Sequence, residues 1–489
     1  MHKVSAKTWM LAAAVALLVA VACKPKAPAA PAHAGGQSSK AQPAAQRRPD
    51  DGTPNILLIS IDALRADRLS CYGAERPTSP NLDAFAAEAA RFTHAHANAP
   101  WTLPSHASML TGEEVGVHGV ERGAMTLTPN AITVATTLHA HGYATAGVVT
   151  APYLQSSWGF DHGFDSYDDG LAAPDNQTSQ HLKTAELAVN RALAAIRARR
   201  DKPWFVFLHL FDVHHDYLPP APYNKLFLDP SYHGHFDLTN WDGNIAFHTG
   251  MNPDDFEYVR GQYDGGVAWV DNQLGRLFAG LKEDDEWTRT VVIVTADHGD
   301  EFLEHGSKGH GHSLFNELLH VPLIVKAPGP PSPATVDVPV SLVDVLPSIA
   351  AWAGAKLADY RGSGRSFLPL LGHPAGDGAD RSLFAETHLS RQTPETPRGF
   401  ETMIERGGWK YIERRDAPER ILLFHVAVDP GERNDLLAKE PAKVDELRAL
   451  LVAHLRENKA LHEELKMSRA QPIDEKTAEQ LKQLGYVNN

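Results

Sequence analysis

The sequence predicts an α/β/α sandwich around a mostly parallel sheet, and three observations support that fold class. Five short apolar runs recur along the chain, each bounded by polar residues, as expected for strands buried on both faces. Stretches with helical periodicity lie between them. The chain has 489 residues, 43% hydrophobic and 22% charged, which suffices for one large core and an appendage. The runs are NILLISI from Asn55, YATAGVVT from Tyr143, WFVFLHLF from Trp204, VVIVTAD from Val291 and VPLIVKAP from Val321.

The first 53 residues have the pattern of an export signal followed by a flexible linker. Lys3 and Lys7 precede an apolar run, Trp9 to Val21, which fits a signal-peptide core. The string that ends in Cys23, AVAC, resembles the lipobox of bacterial lipoproteins, so we expect residues 1–23 to be a lipoprotein-type signal peptide and Cys23 to be lipidated. The alternative is a plain secretory signal cleaved nearby. Residues 24–53, rich in Ala, Pro, Gln and Ser, predict a flexible linker. Either signal exports the protein, and lipidation would anchor it to a membrane facing the periplasm or the cell surface.

Cysteine count and net charge limit the chemistry. Only Cys71 remains after Cys23, so the mature chain has no intrachain disulfide and no cysteine metal cluster. A net charge of -14 argues against nucleic acid as a general partner, because phosphate backbones are held by clustered Lys and Arg. An anionic substrate must therefore be held locally, by metal and histidine. The oligomeric state is left open.

The predicted strands place several polar residues at one edge of the sheet, and helices are predicted between them. Ligands in such folds bind beyond the carboxyl ends of the strands, and Asp62, His214, Asp297 and His298 all follow strand runs. The helices are predicted from faces that share apolar residues: Leu82, Phe85, Ala86 and Ala89; Leu182, Ala185, Val189, Leu193 and Ile196; Val267, Val270, Leu274, Leu277 and Leu281.

The stretch PWTLPSHASMLTG, Pro100 to Gly112, presents a hydroxyl at the start of a short helix. Pro104 suits the first helical turn and Gly112 suits the exit, so Thr102 is expected at the N-terminal end. Unpaired amides and the helix dipole favour an anionic ester there. A capped surface helix without chemistry would also fit this stretch alone.

This stretch resembles the signature helix of the sulfatase family, within the alkaline phosphatase superfamily, which runs Cys or Ser, any residue, Pro, Ser, Arg and ends Leu, Thr, Gly. Thr102 stands where the family has the Cys or Ser that becomes formylglycine, and His106 stands where it has Arg. A secondary alcohol cannot become that aldehyde. Thr is the nucleophile in relatives that handle phosphate, so the resemblance implies the same role for Thr102.

The family resemblance also implies a metal site. IDALRADRLSCYG from Ile61 resembles its opening metal motif, with Asp62 as the remaining acid, and TADHGDEF from Thr295 resembles the second, with Asp297 and His298. With Thr102 the set is two carboxylates, one imidazole and a hydroxyl. Mixed nitrogen and oxygen ligands favour one zinc or manganese ion, and calcium remains possible.

Further residues are assigned from the family's substrate segments. FVFLHLFDVHHDYLPPAPY resembles the segment whose His faces the leaving oxygen, which makes His214 the expected general acid, with Asp212 as a possible orienting group. EHGSKGHGHSLFNELLHVPL implies that His310 contacts the anion. The second-choice substrate contacts are Lys308 and His312, together with His106 on the signature helix; His209 and His215 are expected to be a core residue and a surface residue.

The domain boundaries are expected at 54–372 for the catalytic domain and 373–489 for a small α+β subdomain. GWKYI and ILLFHV read as strands there, and Val444, Leu447, Leu451 and Leu455 share a helix face. The text ILLFHVAVDPGERNDL resembles the C-terminal signature of the sulfatases. Asp216 to Asp255 is expected to be a substrate-facing insertion, or else a surface loop.

The expected activity is metal-dependent hydrolysis or transfer of a phosphate or phosphonate ester of a small molecule, lipid or glycan. The family's Gly-Lys-Trp-His substrate motif is missing after Tyr143, which removes a cation expected for sulfate. Sulfate ester hydrolysis without formylglycine is the first alternative. The second is an inactive protein that binds anionic glycans or lipids.

Overall fold

The structure, a computed structural model, describes residues 48, 50–172, 184–234, 236–238, 246–358, 360–373, 380–388, 400–414, 417, 420–472 and 478. These residues belong to one compact unit, Ala44–Asn489. The predicted signal peptide, Cys23 and most of the linker lie outside the described residues. In the part of the chain that the structure describes, no helix combines the length and the apolar character that crossing a membrane requires.

The strands, in chain order, are β1 Asn55–Ile61, β2 Ala90–His96, β3 Met125–Leu127, β4 Ala144–Val148, β5 Ser166–Asp168, β6 Trp204–Leu210, β7 Thr290–Ala296, β8 Glu301–Phe302, β9 Lys308–Gly309, β10 His320–Lys326, β11 Ala334–Val336, β12 Val340–Ser341, β13 Leu383–His388, β14 Phe400–Arg406, β15 Trp409–Arg414, β16 Ile421–His425 and β17 Ser468–Ala470. The helices are α1 Pro80–Ala86, α2 Thr102–Thr111, α3 Val115–His118, α4 Val134–Ala140, α5 Thr184–Arg197, α6 Pro253–Glu283, α7 Asn316–Leu319, α8 Val345–Ala353, α9 Leu368–Gly372 and α10 Pro441–Leu465.

The main sheet confirms the predicted fold class. Its strand order is β11-β2-β10-β7-β1-β6-β4-β5, and β12 also pairs with β2. Strands β7, β1, β6, β4 and β5 are mutually parallel. All seven residues of β1, β6 and β7 are buried, because helices cover both faces of the sheet. The three central strands therefore end side by side at one edge.

One half of the sheet differs from the sequence prediction. The run from Val321 forms β10, which is antiparallel to both β7 and β2. Strand β2 was not predicted, because its sequence, ARFTHAH, mixes polar and apolar residues. It is held in the sheet by β10 on one side and by β11 and β12 on the other.

A small C-terminal α+β subdomain is present, as predicted. Strands β13, β14, β15 and β16 form an antiparallel sheet in that order. Helix α10 packs on it through Leu447 and Leu451, which join Ile404, Tyr411 and Leu423 in a separate buried cluster. The pairing of β17 with β3 ties the end of this subdomain to the larger one.

The segment expected as an insertion, Asp216 to Asp255, is described except at residues 235 and 239–245, and its last three residues belong to α6. Helix α6 begins at Pro253 and is capped by the Asn252 side chain, so the irregular segment ends before it. At the start of the segment, the Tyr217 hydroxyl donates to Asp300 Oδ2 at 2.6 Å, close in the chain to Asp297 and His298. The part around Tyr223 lies against α6, where the Tyr223 carbonyl approaches Gly265.

Candidate active site

Two carboxylates meet where the central strands end. Asp62 follows β1, and its amide donates to the Leu210 carbonyl at 2.9 Å, which continues the ladder with β6 by one residue. Asp297 follows β7, the other neighbour of β1. Its Oδ1 accepts from the Ala63 amide at 3.2 Å. Both carboxylates are fully buried.

His298 completes this group. Its Nε2 lies 3.5 Å from Asp62 Oδ1 and 3.3 Å from Asp297 Oδ2. Its Nδ1 donates to the Gly299 carbonyl at 2.8 Å, which leaves Nε2 facing the carboxylates. A side chain at Gly299 is excluded by close approach, since a Cβ there would lie 2.0 Å from the Glu317 carbonyl oxygen. Adjacent residues can share one site because β7 has already ended at Ala296.

Thr102 is the first residue of α2, as predicted. The helix ends at Gly112, which adopts the left-handed conformation with φ 70°. Thr102 is 1% exposed, and its Oγ1 lies 3.4 Å from Asp62 Oδ2. The helix is fixed to β7 by the Ser105 hydroxyl, which donates to the Asp297 carbonyl at 2.6 Å. The hydroxyl, the carboxylates and His298 therefore form one cluster at the helix N-terminus.

His106 lies beneath this cluster, one turn into α2. Its Nδ1 donates to the Thr102 carbonyl at 2.9 Å, and its Nε2 accepts from the Ser60 hydroxyl at 2.9 Å. Asp297 Oδ2 lies 3.4 Å from Nδ1. With both ring nitrogens engaged and the side chain fully buried, His106 connects the nucleophile candidate to β1. This geometry favours a positioning role over the substrate contact expected from the sequence.

His209, expected from the sequence only as a core residue, also lies next to the site. It lies opposite Ser60 in the parallel register of β1 and β6. Its Nε2 is 3.2 Å from Asp62 Oδ2, and its Nδ1 is 3.1 Å from the Thr150 hydroxyl. The available signal was a lone polar residue inside the otherwise apolar run WFVFLHLF.

Burial and mutual repulsion shape the charges of the cluster. Burial raises the pKa of Asp62 to about 7, although His298 and Thr102 act in the opposite direction. Burial and the charge of Asp62 raise the pKa of Asp297. Burial would lower the pKa of His298, but the two carboxylates raise it instead. Burial lowers the pKa of His106 and of His209 to about 4, so both are neutral near pH 7.

The cluster fits a divalent cation. Asp62 Oδ1, Asp297 Oδ2 and His298 Nε2 are buried and have no hydrogen-bond partner among the described residues. Ligand atoms of the three side chains all lie within 4.8 Å of one another. Buried polar atoms that converge without partners are costly, and a shared cation would satisfy them. Thr102 Oγ1 is placed to join this set.

A second group of histidines borders the first. His214 and His310 have ring centroids 4.7 Å apart, and those of His310 and His298 are 4.4 Å apart. The loop that carries His310 is held over the start of α2, because the Gly311 amide donates to the Pro100 carbonyl at 2.9 Å. His215, expected at the surface, is only 5% exposed and stacks against His310 at 5.3 Å. That surface prediction is therefore wrong.

The remaining predicted residues lie around this loop. Lys308 begins β9, opposite Phe302 in β8. His312 Nε2 is 2.7 Å from Glu301 Oε2, so its ring is engaged by a buried carboxylate. Asp212 does not orient His214: it accepts from the Trp269 indole at 2.8 Å and from the Thr184 hydroxyl.

Comparisons with known proteins identify the class to which this fold and site belong. The sulfatase family profile matches residues 54–355, and the chain belongs to the sulfatase family. It is 25% identical over 449 residues to arylsulfatase K of Danio rerio, covering 81% of this chain and 83% of the relative. Membership makes the protein a sulfuric or phosphoric ester hydrolase of the alkaline phosphatase superfamily.

Solved structures agree on the fold. The phosphonate monoester hydrolase SpPMH from Silicibacter pomeroyi aligns with a TM-score of 0.68 at 23% identity, covering 86% of this chain and 99% of that chain. BT4656, solved with its substrate D-glucosamine-2-N,6-O-disulfate, aligns with a TM-score of 0.67 at 20% identity, covering 84% of this chain and 98% of that one. Neighbours with this fold thus act on both phosphonate and sulfate esters.

Proposed function

We propose that this protein cleaves phosphate or phosphonate esters, by hydrolysis or transfer, through a covalent intermediate on Thr102. The observation that carries the proposal is the position of the Thr102 hydroxyl, which is buried at the start of α2 and 3.4 Å from Asp62. A hydroxyl buried beside two carboxylates and an imidazole is typical of a functional site, because such clusters of titratable groups are costly to bury.

The proposed attack needs a deprotonated hydroxyl and a held ester. A divalent ion bound by Asp62, Asp297, His298 and Thr102 would supply positive charge that stabilises both. Asp62 accepts the hydroxyl hydrogen bond, and His106 fixes the Thr102 backbone through its carbonyl. The amides at the start of α2 face the same region and favour an anionic group. The leaving oxygen is proposed to face His214 and His310.

The choice of phosphate over sulfate rests on what the signature helix lacks. Formylglycine cannot form from threonine, and both ring nitrogens of His106 are engaged, by the Ser60 hydroxyl and by the Thr102 carbonyl. The family lysine motif after Tyr143 is missing as well. Sulfate esters are the second candidate, because arylsulfatase K is a relative over most of the chain. The proposal specifies the ester class and not the organic group of the substrate, which is a small molecule, a lipid or a glycan.

Zinc or manganese is the proposed metal. His298 adds a nitrogen to a set that is otherwise oxygen, and borderline cations tolerate that mixture better than calcium does.

The nucleophile is tested with two threonines of one helix. Thr102→Val removes the hydroxyl at constant size, and Thr111→Val, at the other end of α2, is the matched control. Metal-loaded chains are assayed in parallel on aryl phosphate monoesters, diesters, phosphonates and sulfates. We expect Thr102→Val to lose at least about 10³-fold in kcat, Thr102→Ser to retain measurable turnover, and Thr111→Val to stay within about tenfold of wild type.

Acid quench and mass spectrometry give an independent readout. A peptide containing phosphorylated Thr102 should appear in wild type and be missing in Thr102→Val. Full activity of Thr102→Val on phosphoesters would refute the covalent route. Turnover of sulfates alone would favour the second candidate, and binding of anionic glycans or lipids without turnover would identify an inactive binding protein.

Export and anchoring are proposed from the N-terminal sequence. The signal peptide would be cleaved before Cys23, which would remain as the lipidated first residue of the mature chain. Residues 24–53 would form a linker ahead of a catalytic domain at 54–372 and a subdomain at 373–489. Cys23→Ala should move the protein from the membrane fraction to the soluble fraction of exported protein. Unchanged membrane fractionation of Cys23→Ala would contradict lipidation.

A further inference from the structure

One loop brings His310 to the proposed site. It comprises residues 303–315, which connect β8 to α7 and include β9, and is hereafter called the histidine loop. The ring centroids of His310 and His298 lie 4.4 Å apart, and His298 belongs to the same cluster as Thr102. The position of the loop therefore sets the distance between His310 and the groups around Thr102.

Glu301, in β8, gives the histidine loop its local shape. Its Oε1 accepts from the amides of His305 and Ser307, at 2.9 Å and 2.7 Å. Its Oε2 lies 2.7 Å from His312 Nε2. These bonds come from the catalytic domain and act inside the loop, so the two ends of the loop depend on other segments.

A turn of the C-terminal subdomain contacts both ends of the histidine loop. It comprises residues 429–434, which follow β16, and is hereafter called the subdomain turn. At the start of the loop, His305 Nε2 donates to the Glu432 carbonyl at 3.2 Å. Directly after the loop, the Asn316 amide donates to Glu432 Oε2 at 2.6 Å. One residue of the subdomain thus holds the chain on both sides of His310.

The subdomain turn is itself fixed. Asp429 Oδ2 accepts from the amides of Arg433 and Asn434, at 2.9 Å and 2.8 Å. The Arg433 guanidinium adds a hydrogen bond to the Glu304 carbonyl of the histidine loop. Glu432 adopts φ 53°, a left-handed conformation that costs a residue with a side chain about 1–3 kcal/mol. Such a conformation persists where the surroundings determine it, and it often marks a functional position.

A buried charge pair completes the contact. Lys410 of β15 and Glu432 are 0% and 2% exposed, and Lys410 Nζ lies 2.8 Å from Glu432 Oε1. The same ammonium donates to Asn316 Oδ1 at 3.0 Å. A buried ion pair is often no more stabilising than apolar residues of the same size. The contribution of this pair is therefore better explained by geometry, because together the two charges engage the main chain and the side chain of Asn316.

We propose that Glu432 is a positioning residue, which holds the two ends of the histidine loop and thereby fixes where His310 lies. The proposal rests on the proposed function, in which the leaving oxygen of the ester faces His214 and His310. A displacement of about 1 Å at a reacting centre can cost about 10²-fold in rate. Glu432 acts through the loop and contacts neither the ester nor the metal. The C-terminal subdomain thus takes part in ester cleavage by placing one histidine.

The test compares two double variants that differ in one oxygen. Lys410→Met/Glu432→Met and Lys410→Met/Glu432→Gln both remove the charge pair with side chains of similar size, and neither leaves a buried charge without its counterion. Only the glutamine can still accept from the Asn316 amide. His462→Ala is the matched control, because His462 Nδ1 donates to the Val117 carbonyl at 3.0 Å, another contact between the subdomain and the catalytic domain.

Hydrogen exchange of the full chain reads the loop without any activity. Peptides from the histidine loop should exchange at least about tenfold faster in Lys410→Met/Glu432→Met than in wild type, because the opening of a segment is governed by its local contacts. Lys410→Met/Glu432→Gln and His462→Ala should match wild type in these peptides. Equal exchange of the loop in the two double variants would overturn the inference. Circular dichroism and Tm check that each variant has folded.

Kinetics separate positioning from a merely structural role. Metal-loaded chains are assayed on phenyl and 4-nitrophenyl esters of phosphate and phosphonate. A displaced His310 should matter most for phenol, the poorer leaving group, whose oxygen needs more stabilisation. Lys410→Met/Glu432→Met should lose at least about tenfold in kcat on phenyl esters and clearly less on 4-nitrophenyl esters, with metal content unchanged, and Lys410→Met/Glu432→Gln should recover most of that loss. Equal losses on both esters, or no loss despite a faster-exchanging loop, would overturn the positioning role.

The outcomes distinguish this inference from the proposed function. A phosphorylated Thr102 peptide in wild type, together with equal loop exchange in the two double variants, would overturn the role of Glu432 and leave the nucleophile standing. Inactivity of wild type on every ester, with the difference in loop exchange present, would refute the proposed function and support the contact between Glu432 and the histidine loop.

Discussion

Asp297→Asn should abolish the stabilisation that the metal ion proposed at Asp62, Asp297, His298 and Thr102 gives to the fold. The substitution keeps the size of the side chain, and the amide oxygen can still accept from the Ala63 amide, which lies 3.2 Å from Asp297 Oδ1. It removes one of the two buried carboxylates that face His298 Nε2, at 3.3 Å and 3.5 Å. Without metal, Asp297→Asn should be at least as stable as wild type, because a buried negative charge beside Asp62 is gone.

The size of the metal effect follows from linkage. A cation at one hundred times its dissociation constant stabilises the fold by about 2.7 kcal/mol. With about 2.1 cal/mol/K per residue, unfolding residues 54–489 has an entropy of about 0.9 kcal/mol/K. The bound metal should therefore raise the Tm of wild type by about 3 °C, and added metal should leave the Tm of Asp297→Asn nearly unchanged.

The assay is differential scanning calorimetry of chelator-stripped protein, with and without added zinc, manganese or calcium. Asp201→Asn, an exposed aspartate on the same chain, is the control and should retain the full metal shift. Equal shifts in wild type and Asp297→Asn for every metal would refute the assignment of Asp297 as a ligand. A stripped Asp297→Asn protein several degrees less stable than stripped wild type would refute the argument from charge repulsion.

Three further changes test the fold around the site. Glu113 is buried, and burial raises its pKa to about 8. The native state therefore keeps a proton that the unfolded chain loses near pH 4.5, so the free energy of unfolding should fall as pH rises from about 4.5 to 8. In denaturant titrations at several pH values, Glu113→Gln should remove up to a few kcal/mol of that fall. Gly299→Ala places a Cβ 2.0 Å from a backbone oxygen and should reduce metal content and soluble yield, whereas Gly372→Ala, with open space around it, should leave both unchanged. Lys410→Met should cost about 3–5 kcal/mol of unfolding free energy, because Glu432, 2.8 Å from the Lys410 ammonium, is left buried without its counterion. A loss below about 1 kcal/mol would contradict this.

Part of the active site could be predicted from local sequence. Asp62 and Asp297 each follow an apolar strand, so the parallel sheet brings them to one edge, as the sequence predicted. Thr102 lies at a helix start because Pro104 and Gly112 mark the two ends of a short helix. The sequence also predicted the C-terminal subdomain from two strand runs and one helix face. These features depend on residues close in the chain, where spacing fixes geometry.

Other features depend on contacts between distant segments. His209 reaches Asp62 only through the register of β1 with β6, and a shift of one residue would have turned it to the other face. His215 is buried because the loop carrying His310 lies against it. Asp212, two residues from His214, instead bonds Trp269 of α6.

Strand β2 also depends on distant segments. The polar residues in ARFTHAH do not predict a strand, and pairing with β10 holds the segment in the sheet. The sequence by itself determined the fold class, the strand ends and the start of α2, because apolar periodicity and helix-end residues act over a few positions. Tertiary structure decided which histidines face the carboxylates, because side-chain direction across a sheet is fixed by pairing partners far away in the chain.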